Sequence, residues 1–302
     1  MTLRESASTL KGALAFPVTP FGLDYSLDLA GLERNVEQIA LHPFGAIVVP
    51  GGTGELFSLS PSEVELVVRT TVRTVAGRMP VIAATGYNTV IGIEIARAAA
   101  KAGADFLLVL PPYYTNAPPD GLFAYYEAIA KSSGLPMIVY SRDWAAFSPK
   151  MVEVLADRIP SLVAWKDGQG NAHKYQRIMQ HVGDRLAWLG GFGDDCVPEY
   201  FAIGVQGYTS SIANIAPRLS LALASAGLKR DFVELERLMN RYVNPLCAIR
   251  ERVKGYEIAA MKCAMEILGM PAGPVRPPLE NLREEDKADL KKLMEIYCEF
   301  RD

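Results

Sequence analysis

Short apolar runs alternate along the chain with longer stretches in which apolar residues recur at helical spacing. A strand buried on both faces of a parallel sheet has a near-continuous apolar sequence, whereas an amphipathic helix repeats its apolar positions every three or four residues. The pattern therefore predicts strands that alternate with helices. The eight predicted strands are Gly12–Phe16, Gly45–Val49, Val81–Thr85, Phe106–Leu110, Met137–Tyr140, Leu162–Lys166, Leu186–Leu189 and Gln206–Thr209.

The stretches between these strands carry helix start and stop signals. Ser60 and Ser148 each stand before a proline, which is typical of an N-cap followed by the first helical residue. Gly103 follows a helical stretch and fits a C-terminal cap. The predicted helices among the strands are Leu27–Ala40, Pro61–Val75, Val90–Ala102, Leu122–Lys131, Pro149–Ala156 and Ala172–His181.

Eight strand–helix units in a row favour an α/β fold of the (β/α)8 TIM-barrel type. A doubly wound sheet would require a glycine-rich turn after the first strand, and Pro17–Pro20 follows it here. Beyond Thr209 the pattern becomes helical, with predicted helices at Asp231–Val243, Tyr256–Leu268 and Glu284–Phe300. We therefore predict a catalytic barrel over residues 1–226 and a C-terminal helical appendage over residues 227–302.

Composition and charge exclude several classes of function. The 31 basic and 34 acidic residues give a net charge of −3, which argues against binding of nucleic acid through bulk charge. No apolar run approaches the roughly 18 residues of a membrane span, and Met1–Lys11 lacks the apolar core of a secretory signal. The three histidines lack the spacing of a metal site. The cysteines form no CxxC pair, which predicts reduced thiols in a cytoplasmic protein: Cys196, Cys247, Cys263 and Cys298.

Lys166 is the most informative candidate for chemistry. Catalytic groups of a TIM barrel lie at the C-terminal ends of its strands, and Lys166 ends the sixth predicted strand. Strand alternation places it on the same face as Leu162 and Ala164. Burial there would lower the pKa of the amine, and a neutral amine is the nucleophile that forms a Schiff base. The alternative is a lysine just beyond the strand in solvent.

Tyr140 strengthens the Schiff-base interpretation, because it ends the preceding predicted strand. Neighbouring strands lie about 4.8 Å apart, so residues at equal height can be close. A phenol beside Lys166 would move protons to and from a bound keto compound. The alternative is a core aromatic whose hydroxyl lies at the rim of the barrel.

Other polar groups follow the strands. The loop Gly51–Glu55 offers backbone N–H groups and the Thr53 hydroxyl, which can hold a carboxylate, although it also fits a plain tight turn. Arg142 can pair with a second carboxylate, with Asp143, or with solvent. Ser210 and Ser211 are polar residues of the rim. Together these groups indicate a keto-acid site that requires neither a metal nor another cofactor, because the iminium itself accepts the electrons.

The chain resembles the dihydrodipicolinate synthase / N-acetylneuraminate lyase family over nearly its whole length. The resemblance implies that Lys166 is the Schiff-base lysine, that Tyr140 is the catalytic tyrosine and that Gly52 and Thr53 bind the keto-acid carboxylate. It also implies a homotetramer built as a dimer of dimers, in which Tyr114 reaches toward the neighbouring site. The matching segments are Phe16–Phe21, Gly51–Glu55, Leu110–Tyr114, Ile138–Tyr140 and Trp165–Gly168.

Two departures point away from the dihydrodipicolinate branch. Gly52 stands where the family often has a hydroxyl residue, and the arginine expected a few residues after Tyr140 is displaced or missing. The narrower resemblance is to 5-dehydro-4-deoxyglucarate dehydratases, hydro-lyases that dehydrate and decarboxylate their substrate to 2,5-dioxopentanoate. It implies that the far end of the substrate meets Asn171, Arg142, Ser210 or Ser211. The matching segments are Tyr140–Asp143, Lys166–Asn171, Asp184–Leu189, Ser210–Asn214, Lys254–Tyr256 and Arg276–Pro278.

Two other functions fit the same residues. An aldolase or lyase of this family would form the same imine and release pyruvate from another 2-keto-3-deoxy acid. A non-catalytic barrel that senses a keto acid is the third hypothesis, and the presence of both Tyr140 and Lys166 argues against it. In each case the expected partner is a small sugar acid, with no nucleic acid and no membrane.

Overall fold

A computed structural model describes residues 7–114 and 116–300, so part of the N-terminal segment Met1–Lys11 lies outside the described residues. The apolar runs form strands close to their predicted bounds. The strands are β1 Gly12–Ala15, β2 Ala46–Val49, β3 Val81–Tyr87, β4 Phe106–Pro112, β5 Met137–Ser141, β6 Leu162–Asp167, β7 Ala187–Gly190 and β8 Gly207–Ser210.

The strands form a closed parallel barrel in chain order from β1 to β8. Leu14 of β1 pairs with Thr209 of β8, which closes the sheet. The predicted α/β fold, a (β/α)8 barrel with helices after it, is therefore confirmed. In β6, Trp165 faces outward and packs edge-on against the Phe147 ring at 4.8 Å, so Lys166 faces the opposite way.

Helices follow each strand and cover the barrel. The serine caps form as predicted: Ser60 and Glu63 make a reciprocal capping box, and Ser148 accepts a hydrogen bond from the backbone N–H of Met151. Gly103 ends its helix in the left-handed region at φ +90°. The barrel helices are α1 Leu29–Ala40, α2 Pro61–Val75, α3 Thr89–Ala102, α4 Pro119–Ser133, α5 Pro149–Arg158, α6 Ala172–Val182, α7 Val197–Ala202 and α8 Pro217–Lys229.

The C-terminal extension is helical, and its first part is irregular. A π-helical turn at Met239–Val243 joins two α-helical segments without a break in the helix. The division at residue 226 stays a prediction, and α8 runs across it to Lys229. The extension comprises α9 Phe232–Leu238, the π-helical turn, α10 Asn244–Arg250, α11 Tyr256–Ile267 and α12 Glu284–Tyr297.

One hydrophobic core runs through the described part of the chain. It joins buried residues of the barrel, such as Val139, to buried residues of the extension, such as Leu246 and Leu290. The extension therefore packs on the barrel as part of the same core. Within residues 7–114 and 116–300, every helix is too short or too polar to cross a membrane.

Candidate active site

A cavity of about 430 Å³ lies at the end of the barrel where the strands end, which is where TIM-barrel enzymes carry their active sites. Strand ends and the loops after them form most of its wall, and Arg250, Glu257 and Ile258 of the extension complete it. Six of the predicted site residues line this cavity: Gly52, Thr53, Tyr140, Arg142, Lys166 and Ser211.

Lys166 lies at the floor of the cavity and is 3% exposed. Its Nζ donates a hydrogen bond to the Gly191 carbonyl oxygen at 3.0 Å and lies 3.4 Å from the centre of the Tyr140 ring. Burial lowers the pKa of Lys166 well below its usual value, and the positive charge of Arg142 lowers it further. Asp167 acts in the opposite direction. Burial thus favours the neutral amine.

Tyr140 pairs in register with Lys166 across β5 and β6, at the equal height that the strand pattern predicts. Its hydroxyl donates to the Gly191 carbonyl oxygen at 3.2 Å and accepts a long hydrogen bond from Arg142 Nη1 at 3.5 Å. Burial raises the pKa of Tyr140, and the charge of Arg142 opposes this rise. The phenol is therefore protonated near neutral pH, as a proton donor must be.

Two glycines make room for this pair. A Cβ added to Gly191 would overlap the Lys166 side chain, with Nζ 2.7 Å away, and one on Gly168 would overlap the Tyr140 ring, with its Oη 2.7 Å away. The Gly191 carbonyl oxygen also accepts hydrogen bonds from both side chains. The role of Gly191 could not be predicted from the sequence, because no local signal distinguishes it from any other loop glycine.

The loop Gly51–Glu55 forms one side of the cavity. Among the described residues, the backbone N–H groups of Gly52 and Thr53 have no hydrogen-bond partner. Nothing lies within 4 Å of a Cβ added at Gly52, so the space that a larger side chain would fill is open. These N–H groups and the Thr53 hydroxyl together can bind a carboxylate.

Glu55 ends the loop and is completely buried, in the left-handed region at φ +56°. Its Oε1 lies 2.6 Å from the Nζ of Lys262 in α11, and its Oε2 accepts a hydrogen bond from the backbone N–H of Arg276 at 3.0 Å. Lys262 also donates to the Pro274 carbonyl oxygen at 2.9 Å and lies 4.0 Å from the centre of the Phe21 ring. The extension therefore holds this loop from behind.

Three predicted site residues do not line the cavity. The Tyr114 side chain is 91% exposed. Asn171 caps α6, and its side chain accepts a hydrogen bond from the backbone N–H of Lys174 at 2.9 Å. Ser210 is completely buried, and its hydroxyl is held by Asp194 at 2.5 Å and by Ser220 at 2.7 Å. The substrate-binding roles of these three residues stay predictions.

Arg142 and Ser211 line the cavity with different partners. Arg142 forms an ion pair with Asp143, with Nε 3.3 Å from Oδ1, and lies 5.6 Å from the centre of the Phe192 ring. The Ser211 hydroxyl donates to Asp194 Oδ2 at 3.0 Å and accepts from Arg250 Nη2 at 2.9 Å. Asp194 and Arg250 were not among the predicted site residues, because neither ends a predicted strand.

Known proteins resemble this chain over nearly its whole length. The profile of the dihydrodipicolinate synthetase family matches residues 9–297. A protein of Bradyrhizobium diazoefficiens named probable 5-dehydro-4-deoxyglucarate dehydratase is 41% identical over 297 residues, which is 97% of this chain and 95% of that protein. A protein of Saccharopolyspora erythraea with the same name is 40% identical over 94% of this chain and 92% of its own length.

Solved structures give the same result for the fold. Dihydrodipicolinate synthase from Bacillus clausii superposes with a TM-score of 0.91 at 28% identity, over 96% of this chain and 99% of that one. The enzyme from Oceanobacillus iheyensis gives a TM-score of 0.92 at 27% identity, over 98% of this chain and 99% of that one. The likeness therefore includes the C-terminal helices as well as the barrel.

Proposed function

The chain belongs to the dihydrodipicolinate synthetase family, as its sequence resemblance predicted, and from this we propose that it is a decarboxylating 5-dehydro-4-deoxyglucarate dehydratase. It converts 5-dehydro-4-deoxy-D-glucarate to 2,5-dioxopentanoate, CO2 and water through a Schiff base on Lys166. The observation that carries the proposal is a buried lysine without an ion pair among the described residues, beside a tyrosine in the cavity. Relatives that bear this name support the choice of substrate.

Imine formation begins the reaction. The carboxylate next to the keto group binds the N–H groups of Gly52 and Thr53, and the Lys166 amine attacks the keto carbon. The carbinolamine then loses its hydroxyl as water, which requires a proton donor. Tyr140 supplies this proton, since its hydroxyl shares the Gly191 carbonyl oxygen with the Lys166 amine.

Elimination and decarboxylation follow from the same imine. Loss of a proton from the CH2 carbon beside the iminium gives an enamine, whose electrons expel the β-hydroxyl as water. The C–C bond to the far carboxylate then breaks, CO2 leaves, and the electron pair passes through the conjugated double bond to the imine nitrogen. Protonation on carbon and hydrolysis release 2,5-dioxopentanoate and restore Lys166. No step of this sequence requires a metal or an organic cofactor.

Trapping of the imine tests the mechanism. Borohydride is added to the protein with pyruvate or with the substrate, and digested peptides are mapped by mass spectrometry. We expect the reduced adduct on Lys166, and none in the Lys166→Ala variant, whereas exchange of the exposed Lys150 for alanine leaves the adduct unchanged. Active protein with unmodified Lys166 would contradict the mechanism.

Product analysis separates the dehydratase from the aldolase alternative, because both form the same imine. We expect one CO2 and one 2,5-dioxopentanoate for each substrate molecule consumed, measured by trapped CO2 and by mass spectrometry. Release of pyruvate would identify an aldolase instead. Binding without any turnover would favour a keto-acid sensor.

We further propose that the protein is a cytoplasmic homotetramer, a dimer of dimers. The support from the structure is the pair Tyr113 and Tyr114, whose large side chains are 74% and 91% exposed on one loop. Cys196, Cys247, Cys263 and Cys298 are free thiols, as a reducing compartment favours. Light scattering on the intact protein gives its mass, and we expect Tyr114→Ala to lower that mass if the loop lies at an interface.

A further inference from the structure

Two guanidinium groups line the cavity, and they differ in what they contact. Arg142 is bound to the Asp143 carboxylate at 3.3 Å and its side chain is 42% exposed. Arg250 is 7% exposed and forms no ion pair within the described residues. Its Nε is buried and has no hydrogen-bond acceptor among them. Arg250 is thus the lining arginine whose charge lacks a carboxylate partner.

The surroundings of Arg250 hold it in place through a serine, and Asp194 acts on its charge from beyond that serine. Its Nη2 donates to the Ser211 hydroxyl at 2.9 Å, and that hydroxyl donates in turn to Asp194. The Asp194 carboxylate is already bound by the Ser210 hydroxyl at 2.5 Å and by the backbone N–H of Ser211 at 2.9 Å. Asp194 therefore reaches Arg250 through a serine and not through a direct ion pair.

The helix that carries Arg250 has an irregularity of the kind found at functional sites. The π-helical turn Met239–Val243 precedes α10, and Arg250 is the last residue of that helix. π-helical turns occur mostly as single turns inside α-helices, frequently next to sites of function. Their effect is to change the direction in which later side chains of the helix point.

A buried guanidinium with an empty donor position is unfavourable unless a ligand completes it. The group that matches its planar fork is a carboxylate, which accepts two parallel N–H bonds. We propose that Arg250, supported by Ser211, binds the far carboxylate of the substrate and makes the site selective for diacids. This rests on the proposed function, in which the other carboxylate binds Gly52 and Thr53.

Arg250 then contributes to the affinity for the substrate. The far carboxylate is the group that leaves as CO2, so the charge that Arg250 binds disappears during the reaction. Loss of Arg250 should therefore raise KM more than it lowers kcat. It should also reduce the preference for a diacid over a monoacid of the same length.

Two keto acids of equal chain length test this directly, because both lack the β-hydroxyl and so stop before elimination: 2-oxoadipate has a carboxylate at its far end, and 2-oxohexanoate has a methyl group. Calorimetric titration of the intact protein gives the Kd of each. We expect Arg250→Gln to raise the Kd of 2-oxoadipate at least about 10-fold, since a hydrogen bond to a charged group contributes that much to binding. The Kd of 2-oxohexanoate should change less than about 2-fold. Arg250→Lys keeps the positive charge but lacks the planar guanidinium, and we expect an intermediate loss of affinity for 2-oxoadipate.

Matched variants separate this effect from others. Arg237→Gln removes an exposed arginine of the same helical segment and should change neither Kd. Arg142→Gln should change the ratio of the two Kd values less than Arg250→Gln does. The proposal would be overturned if Arg250→Gln weakened the binding of both keto acids equally. It would also be overturned if neither Arg250 variant weakened the binding of 2-oxoadipate.

Failure of the proposed function would look different. Pyruvate has no far carboxylate, so borohydride should still trap it on Lys166 in both Arg250 variants. If pyruvate is not trapped in the wild-type protein, the Schiff-base mechanism fails, and the ratio of the two Kd values still decides the role of Arg250. If trapping succeeds and the ratio is unchanged by Arg250→Gln, the mechanism stands and the assignment of Arg250 falls.

Discussion

The protein buries two lysines beside aromatic rings, Lys166 and Lys262, and the two differ in their charged partners. Lys166 is 3% exposed and Lys262 is 1% exposed. Each lies over an aromatic ring, Lys166 at 3.4 Å from the centre of Tyr140 and Lys262 at 4.0 Å from the centre of Phe21. Lys262 has the Glu55 carboxylate at 2.6 Å, whereas the described residues give Lys166 no such partner.

The partner decides what burial does to each amine. Burial lowers the pKa of both lysines, but Glu55 opposes the shift at Lys262 and leaves its pKa at about 8. The pKa of Lys166 lies well below its usual value because of its burial first and the charge of Arg142 second, and Asp167 opposes this shift. Lys262 is therefore an ammonium that ties the extension to the loop Gly51–Glu55, and Lys166 is suited to be a nucleophile. A buried lysine alone does not indicate catalysis.

The sharpest test of this contrast is exchange of Lys166 for alanine. We expect turnover to fall by about 10⁶, the order observed when an enzyme loses its covalent nucleophile. The free energy of unfolding should fall little, since Lys166 makes no ion pair among the described residues. Near-normal turnover in a folded Lys166→Ala protein, measured by product formation, would remove the distinction between the two lysines.

The two lysines also differ in the aromatic ring beneath each amine, because only the ring beneath Lys166 carries a hydroxyl. Lys166 has a tyrosine where Lys262 has a phenylalanine, so Tyr140→Phe makes the two surroundings alike. We expect kcat to fall about 10²–10⁴-fold, the usual contribution of a positioned proton donor. Borohydride should still trap pyruvate on Lys166, at a lower rate. An unchanged kcat would exclude Tyr140 as the proton carrier.

Lys262→Met tests the structural side of the comparison. It leaves Glu55 charged and buried, and we expect the free energy of unfolding to fall by about 3–5 kcal/mol in urea denaturation. Adding Glu55→Gln removes the isolated charge and should recover much of the lost free energy of unfolding. A single Lys262→Met variant as stable as the wild type would show that the ion pair does not hold the loop.

The smallest predicted effect is a shift of the acid limb in the pH profile of imine formation, where the rate falls as the pH drops. Lys166 attacks only as the neutral amine, so the initial rate of adduct formation with pyruvate falls as the pH drops through its pKa. Arg142→Gln removes a positive charge that lowers this pKa, and should move the limb to higher pH. Asp167→Asn removes a negative charge that raises it, and should move the limb to lower pH. Shifts in the same direction would contradict the electrostatic assignment.

The sequence predicted the features that depend on neighbouring residues. Apolar runs gave strand ends to within two residues, and alternation within β6 placed Lys166 and Trp165 on opposite faces. Tyr140 and Lys166 were expected at equal height because each ends its predicted strand, and in the structure a one-residue register shift between Met137 and Ile138 brings them into pairing. The helices α7 and α8 were missed, since α7 is only six residues long and α8 contains many small residues.

Contacts between distant parts of the chain could not be predicted in this way. Glu55 meets the backbone of Arg276, 221 residues away, and Arg250 meets Ser211, 39 residues away. In the sequence, Arg250 and Lys262 look like ordinary polar positions on helices. Only the packing of the extension against the barrel shows that both are buried. The resemblance implies a ligand contact for Asn171, which stays a prediction, and the structure shows its side chain capping α6.

The π-helical turn at Met239–Val243 has a consequence for how such sites change over evolutionary time. A π-helical turn contains one residue more than an α-helical turn, so it behaves as a single-residue insertion within a helix. Deleting one residue there would restore a regular helix and rotate every later side chain by about 100° around the axis. Arg250 would then face a different neighbour. One codon gained or lost in this turn, more than 70 residues from Lys166 in the sequence, would be enough to move Arg250 out of the cavity wall.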